Sequence, residues 1–336
     1  MDLNLDTPLL RLYVTLISWV LLGFVLGRLL PKGSSKYLGN LLFWFGVPVL
    51  IISSLRGRDL SGSIWVAPVT AWVAIAVGAL FAWIWIDLGV SDERLKRMAR
   101  GIQVQDHQAA SSNPDSAWSK STQGSFLLAM MVGNTGYVGF PVILTLVGKD
   151  YFAWALLFDL LGSTLGAYGL GVAIAAHYGS SSNGAQKWWQ PLAKAMVRNP
   201  ALWSLIIGLS SRNFPLSPLV EQSLVIVSTP VIPASLIMIG MQLSQLSSLG
   251  KLRQSLVCLF IKMILVPLFV GTGLMFFGIE GPPRLAIVLQ MSMPPAFATL
   301  VIAQAYNLDR DLSVTALAFG SIGLLFTLPI WVWLFS

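Results

Sequence analysis

Long apolar segments separated by short polar connections recur along the whole chain. Most are close to the roughly 20 apolar residues that cross a hydrocarbon core of about 30 Å. The sixth segment is the least apolar, although Asn199-Pro200 ahead of it is typical of a helix start. The pattern predicts ten membrane-spanning helices, at about 8–30, 37–55, 64–86, 123–147, 151–176, 198–214, 219–246, 252–278, 284–306 and 312–335.

The fourth predicted span contains a segment that disfavours a continuous helix. Gly133–Pro141, with the sequence GNTGYVGFP, carries three glycines and a proline. In hydrocarbon every backbone N–H and C=O needs a partner, so such a break is tolerated only where protein or a watery cavity surrounds it. A solute-binding site is therefore expected here. Its candidate residues are Asn134, Thr135, Gly136, Gly139 and Pro141.

Proline-marked helices recur at matching positions in the two halves of the chain. Ten spans divide into five and five, and an odd number in each half turns the second half upside down relative to the first. Pro48 then corresponds to Pro230, and the break at Pro141 to one at Pro294. We expect inverted five-helix repeats at 1–177 and 196–336. The ninth span adds the candidate site residues Gln290, Ser292, Met293, Pro294, Pro295 and Thr299.

Composition supports a membrane protein and excludes several kinds of chemistry. Of 336 residues, 55% are hydrophobic and 10% are charged, and the mean hydropathy is +0.74. One cysteine and two histidines allow no intrachain disulfide and no credible metal site, so no metal and no cofactor are expected. The net charge of +7 comes from residues in loops beside apolar spans, which argues against nucleic acid as a partner.

Lysines and arginines in the connections predict the orientation, because cytoplasmic loops of membrane proteins are enriched in them. With the N-terminus outside, the inner connections carry 14 of these residues and the outer connections carry six. Both termini are therefore predicted to lie outside. The one long connection, 87–122, begins with charged residues and continues into a Ser-, Asn- and Pro-containing stretch, which indicates a mobile cytoplasmic linker.

Several motifs resemble one family of transporters. Asn134-Thr135-Gly136-x-x-Gly139-x-Pro141 is similar to the fourth-helix signature of the auxin efflux carrier family, a relative of the bile acid:sodium symporters. Asn199-Pro200, and Pro230 through Ile239-Gly240-Met241-Gln242-Leu243, resemble the same family, so the likeness covers essentially the whole chain. Plant members have a very long central loop, whereas Tyr178–Ala195 is short here. The resemblance therefore points to a bacterial-type member in the plasma (inner) membrane.

The resemblance implies a specific architecture. The fold would be an all-α polytopic membrane protein, with ten helices in two inverted repeats and with the broken fourth and ninth helices crossing at the bilayer centre. Helices one, two, six and seven would form a scaffold. The remaining helices would form a transport domain that moves against it, as in an elevator mechanism.

The two breaks predict the charge of the ligand. Half-helices that begin near Pro141 and Pro295 would direct N–H groups and the positive ends of their dipoles toward one point, which favours a carboxylate or another anion. The alternative is a pair of packing kinks without a ligand. Asn134 and Thr135 can contact a solute or satisfy the backbone that the break frees. No acid stands at either break in the sequence, which weakens the case for a sodium site.

Two ionisable residues lie deep in apolar sequence, Asp159 in the fifth span and Lys262 in the eighth. Each is about ten residues from the end of its span, roughly 15 Å at 1.5 Å per residue. Charge at that depth is costly, and a carboxyl group there can be neutral near pH 7 through desolvation. We predict that Asp159 carries a coupling proton and that Lys262 pairs with it or attracts an anion. A purely structural ion pair is the alternative.

These expectations combine into one hypothesis: a secondary active transporter that moves an organic anion by alternating access. The rivals are an anion channel, an anion-sensing membrane receptor and a sodium-coupled symporter. An enzyme is not expected, because the sequence has no recognisable nucleophile and base pair. Expected partners are a small organic anion and the lipid bilayer. Gly23-x3-Gly27 in the first span and Gly162-x3-Gly166 in the fifth predict close helix packing, because small residues allow close approach; a homodimer through the first motif is the alternative.

Overall fold

The computed structural model describes residues 8–31, 33–58, 60–99, 118–179, 196–246 and 250–336. These residues are mostly helical, and no β-strand occurs among them. The helices are α1 Pro8–Leu29, α2 Ser34–Leu55, α3 Val66–Ala99, α4 Lys120–Met131, α5 Thr135–Leu146, α6 Lys149–Tyr178, α7 Pro200–Ser211, α8 Pro218–Ser244, α9 Leu252–Phe277, α10 Gly281–Met291, α11 Phe297–Ala305 and α12 Arg310–Phe335.

Seven helices of the described residues are long and apolar enough to cross a membrane, namely α1, α2, α3, α6, α8, α9 and α12. They correspond to the first, second, third, fifth, seventh, eighth and tenth predicted spans. The chain is therefore a multi-pass membrane protein. The other three predicted spans are shorter in the structure: α7 has 12 residues, and the fourth and ninth spans are each two short helices, α4 with α5 and α10 with α11.

The predicted linker at 87–122 is shorter than the sequence indicated. α3 continues to Ala99, so residues 87–99 are helical, in keeping with the Glu, Arg, Leu and Lys of that stretch, which are strong helix formers. At its other end Ser119 caps α4 by accepting a hydrogen bond from the Thr122 backbone N–H at 3.3 Å. Residues 100–117 of the predicted linker lie outside the described part of the chain.

The interruption of the fourth span lies before Pro141, so the expectation that the helix breaks at this proline is wrong. α4 ends at Met131, and α5 starts at Thr135 with a π-helical turn, Thr135–Gly139. Pro141 follows in the first turn of the regular α-helical part, where a missing N–H is tolerated. The Asn134 carbonyl accepts from the N–H groups of both Val138 (3.3 Å) and Gly139 (3.1 Å), which closes the wide turn.

Close glycine contacts join α1 to α8. A Cβ on Gly23 would lie 2.1 Å from the Ile237 carbonyl oxygen, and a Cβ on Gly240 would lie 2.0 Å from the Val20 carbonyl oxygen. The backbones of the two helices therefore lie in close contact, which is possible because the residues at the contact are glycines. Gly23 and Gly27 pack against α8, which confirms the expectation that this motif serves close helix packing; a homodimer stays a prediction.

Candidate functional site

The two interrupted segments meet each other. Gly133 and Pro295 form an isolated antiparallel bridge. The Asn134 N–H donates to the Pro294 carbonyl at 2.7 Å, and the Ala296 N–H donates to the Val132 carbonyl at 3.0 Å. Each break thus provides hydrogen-bond partners for backbone groups that the other break leaves free. Such partners are needed because the hydrocarbon region holds no water to replace them.

A cavity of about 160 Å³ lies beside this contact. Its wall combines residues from both breaks with residues from α2, α6 and α7. The lining residues are Phe43, Val47, Val132, Gly133, Asn134, Thr135, Gly136, Tyr137, Phe140, Asp159, Ser163, Thr164, Ala167, Tyr168, Asn199, Ala201, Ala296 and Ala298. We call it the anion cavity, because the positive ends of three helices line it.

Three helices begin at the wall of the anion cavity. α5 starts at Thr135, α7 follows Asn199 and α11 follows Ala296, and these three residues line the cavity. The N–H groups in the first turn of a helix have no partner within the helix, and this end carries roughly half a positive charge. Three positive helix ends therefore surround the cavity, which favours an anion.

One carboxyl group lies in the same cavity. Asp159 begins a π-helical turn of α6, lines the cavity and is 9% exposed. The Thr135 hydroxyl donates to Asp159 Oδ1, and Oδ2 lies 3.5 Å from where a Cβ on Gly136 would be. The expectation that no acid stands at either break is therefore wrong. The acid reaches the first break from the neighbouring helix rather than from the broken segment itself.

Other polar side chains of the cavity were missed by the sequence prediction. Tyr137, Ser163, Thr164, Tyr168 and Asn199 all line it. Ser163 follows Asp159 by about one helical turn. This spacing places both side chains on the same face of α6, so the sequence could have predicted that Ser163 accompanies Asp159. The Asn199 Oδ1 atom caps α7 by accepting from the Ala201 N–H at 3.0 Å, which leaves the amide NH₂ for the cavity. A cap residue at a helix start was recognisable from the sequence, but its position at the cavity was not.

Most predicted residues near the second break lie away from the anion cavity. Gln290 is fully buried, with Nε2 donating to the Ala155 carbonyl at 3.2 Å and Oε1 packed against Gly139. The hydroxyls of Ser292 and Thr299 donate to the backbone carbonyls of Leu289 (2.8 Å) and Ala296 (2.7 Å). These donors bond to backbone carbonyls, whereas Gln290 Oε1 has no hydrogen-bond partner among the described residues. None of the three side chains lines the anion cavity, so their contact with a solute stays a prediction.

The remaining predicted residues contribute backbone. Met293, Pro294 and Pro295 shape the second break, but they are absent from the lining of the anion cavity. Pro141 and Gly139 also lie outside that lining. Among the residues predicted to bind the solute, the cavity therefore brings together Asn134, Thr135 and Gly136.

Lys262 does not pair with Asp159. No ion pair within 4 Å joins them in the described structure, and Lys262 is absent from the lining of the anion cavity. The Lys262 side chain is 6% exposed, and its Nζ lies 3.5 Å from the position that a Cβ on Gly133 would occupy. The expected ion pair is thus replaced by two separate charged groups.

Comparisons with known proteins show a similarity to membrane transporters. The family described as Membrane transport protein matches residues 189–332, a range that includes the start of α7 and the second break. An uncharacterized transporter of Methanothermobacter thermautotrophicus is 24% identical over 323 residues, which is 95% of this chain and 95% of the relative. An uncharacterized transporter of Methanocaldococcus jannaschii is 24% identical over 216 residues, 63% of this chain and 68% of the relative.

A plant protein is also similar. Auxin efflux carrier component 6 of Arabidopsis thaliana is 25% identical over 140 residues, which is 39% of this chain and 24% of the relative. Similarity to transporters is consistent with the expectation that the chain is not an enzyme. The resemblance seen in the sequence is confirmed: residues 189–332 match the family described as Membrane transport protein, and the chain is similar to two uncharacterized transporters and to an auxin efflux carrier component.

Proposed function

We propose that the chain is a secondary active transporter that moves an organic anion by alternating access, with the anion bound in the anion cavity. The observation that carries this proposal is the meeting of three helix N-termini at one cavity beside two interrupted helices. The sequence has no phosphate-binding glycine loop with its lysine. The energy source is then an ion gradient, the membrane potential or the gradient of the solute itself.

Asp159 is the proposed proton carrier. Each helix end carries about half a charge, so α5 and α11 together offer roughly one positive charge, and α7 adds about half of one. An ionised Asp159 already balances most of this charge, and an entering anion would meet a carboxylate on the cavity wall. A proton on Asp159 removes that repulsion. The anion and one proton therefore bind and cross together.

The position of the cavity supports a moving domain. Phe43 and Asn199 come from α2 and α7, whereas Asn134, Asp159 and Ala296 come from the two breaks and α6. α1 packs on α8, and α2 packs on α7. These four helices form the proposed scaffold. The remaining helices carry the breaks and Asp159, so a displacement of this group would move the anion relative to the scaffold.

The interruption of both the fourth and the ninth predicted span supports the proposed inverted repeats. Gly133 and Pro295, which pair where the two interruptions meet, are 162 residues apart. A shift of 162 residues carries Asp159 onto Ser321, which lines a second cavity of about 250 Å³ between α1, α8 and α12, with Val138 and Pro294 from the two interrupted spans. Each half thus contributes one interrupted helix, and both halves line each cavity.

Transport in proteoliposomes tests the proposal. Benzoate, indole-3-acetate, malonate and malate would be offered with and without an inward proton gradient. We expect saturable uptake and counterflow for at least one of them, with accumulation driven by the gradient. Uptake linear in concentration would instead establish a channel, binding without uptake would establish a receptor, and a requirement for sodium would establish a symporter.

Variants distinguish the proposed coupling residue. Asp159→Asn should abolish proton-driven accumulation while leaving counterflow. Asp150→Asn is the matched control, because Asp150 is exposed and contacts Arg58 at 2.6 Å, away from the cavity. Gradient-driven uptake that survives in Asp159→Asn as fully as in the control would remove Asp159 from the mechanism.

The orientation with both termini outside, in a bacterial plasma membrane, is part of the same proposal. Cys258 is buried, so an added cysteine at the C-terminus can be labelled selectively. We expect Ser336→Cys to react with a membrane-impermeant maleimide in spheroplasts. Labelling only after the membrane is opened would place the C-terminus inside.

A further inference from the structure

Lys262 of α9 lies at the contact between the two breaks. Its Nζ is 3.5 Å from the position of a Cβ on Gly133, and the Met293 carbonyl oxygen is 3.3 Å from that same position. Within the described residues, no hydrogen bond and no ion pair engages this ammonium. A charge this deep in a membrane protein requires compensation from some other source.

Two helix C-termini lie close to this ammonium. α4 ends at Met131 and α10 ends at Met291, so Gly133 and Met293 each lie two residues beyond a helix end. The last carbonyl groups of a helix lack partners within the helix, and this end carries roughly half a negative charge. Two such ends amount to about one negative charge, which is what one ammonium balances.

The contact between the breaks therefore gathers helix ends of both signs. The N-termini of α5 and α11 lie at the anion cavity with Asp159, and Gly133, just beyond the C-terminus of α4, lines the same cavity. Lys262 lies beside Gly133, where the Met293 carbonyl beyond the C-terminus of α10 also lies. Without Lys262, the negative helix ends would form a site for a small cation, since partial negative charge and carbonyl oxygens attract hard cations.

We propose that Lys262 is a positioning residue whose ammonium group holds the C-termini of α4 and α10 together. It takes the place of a monovalent cation that would otherwise have to bind there. This role goes beyond the proposed function, because it holds whichever solute the anion cavity takes. It also predicts that the folded protein needs no sodium or potassium at this contact.

Thermal unfolding of the purified full chain in detergent tests this role without any transport assay. Lys262→Ala should lower the melting temperature by roughly 2–6 °C, as expected when the charge at two buried helix ends is lost from a chain of this size. Methylammonium or ethylammonium should restore most of that loss in Lys262→Ala. Tetraethylammonium, which is too large for the space, should not. Lys262→Arg, which keeps the charge, should melt close to the wild type.

Lys262→Met fills the space without the charge and is the matched control. It should melt below the wild type and should not respond to alkylammonium. Wild-type melting should be unchanged when sodium is replaced by choline. The proposal fails if Lys262→Met has the melting temperature of the wild type, or if alkylammonium raises the melting temperatures of the wild type and Lys262→Ala equally.

If Lys262→Ala folds only when alkylammonium is present during purification, that result supports the proposal. If Lys262→Ala does not fold even with alkylammonium, while Lys262→Met does fold, the proposal is overturned.

Discussion

Removing the charge of Asp159 should change anion binding more than any other single substitution in the cavity. In the wild type the anion competes with an ionised carboxylate for the positive helix ends. Asp159→Asn keeps the size and hydrogen-bonding capacity of the side chain but carries no charge at any pH. Anion binding should therefore become tighter and independent of pH in this variant, although proton-driven accumulation is lost.

The size of the cavity determines how much Asp159→Asn should change the Kd of the anion. If the cavity of about 160 Å³ is treated as a sphere, the centre of a bound anion lies about 5 Å from the Asp159 carboxylate. At an effective dielectric constant of about 20, two negative charges at about 5 Å repel by about 3 kcal/mol. That energy corresponds to roughly 150-fold in Kd. The difference should be largest at alkaline pH and should vanish at acidic pH, where the wild type is protonated.

Calorimetric titration between pH 6 and 8 measures this difference. Benzoate and indole-3-acetate are suitable probes, because their carboxyl groups stay ionised in that range. We expect the wild-type Kd to fall as pH falls and the Asp159→Asn Kd to stay constant, with Asp150→Asn following the wild type. Equal pH slopes for the wild type and Asp159→Asn would refute the competition between carboxylate and anion.

Three further substitutions test the packing and the helix ends. Gly139→Ala would place a Cβ 2.1 Å from Gln290 Oε1, so we expect it to lower stability by about 1–3 kcal/mol, whereas Gly169→Ala, with nothing within 4 Å, should melt near the wild type. Gly240→Ala would place a Cβ 2.0 Å from a backbone oxygen of α1 and should lower the melting temperature at least as much, with the same control. Asn199→Ala removes the α7 cap and should cost about 0.5–2 kcal/mol of stability and weaken anion binding, while Asn199→Ser should keep both.

Hydropathy predicted the long helices well, because each must be apolar over its own length to lie in lipid. The break in the fourth span was also visible, since its glycines and proline are local signals. Its exact position was not, because the wide turn after Asn134 accommodates Pro141 inside the helix. Local sequence does not reveal whether a helix closes with a wider turn.

The composition of the site depended on contacts between distant parts of the chain. Asp159 reaches the first break because α6 packs beside it, and the sequence shows only an acid in another span. Gln290 and Ser292 are polar residues beside a break, as a binding site would have, yet they satisfy backbone groups of their neighbourhood. A polar residue near a break is consistent with either role until its partner is known.

The two cavities differ in charge, and that difference bears on stoichiometry. Ser321, 162 residues after Asp159, is the one polar residue in the lining of the second cavity among the described residues. The linings of the two cavities therefore contain one carboxyl group rather than two, so one proton should accompany each anion. For a monocarboxylate such as benzoate the charges then cancel, and uptake driven by a proton gradient should not change when valinomycin and potassium set the membrane potential at different values. Uptake that depends on the potential would mean either more than one proton per anion or none, and a single carrier at Asp159 would be untenable.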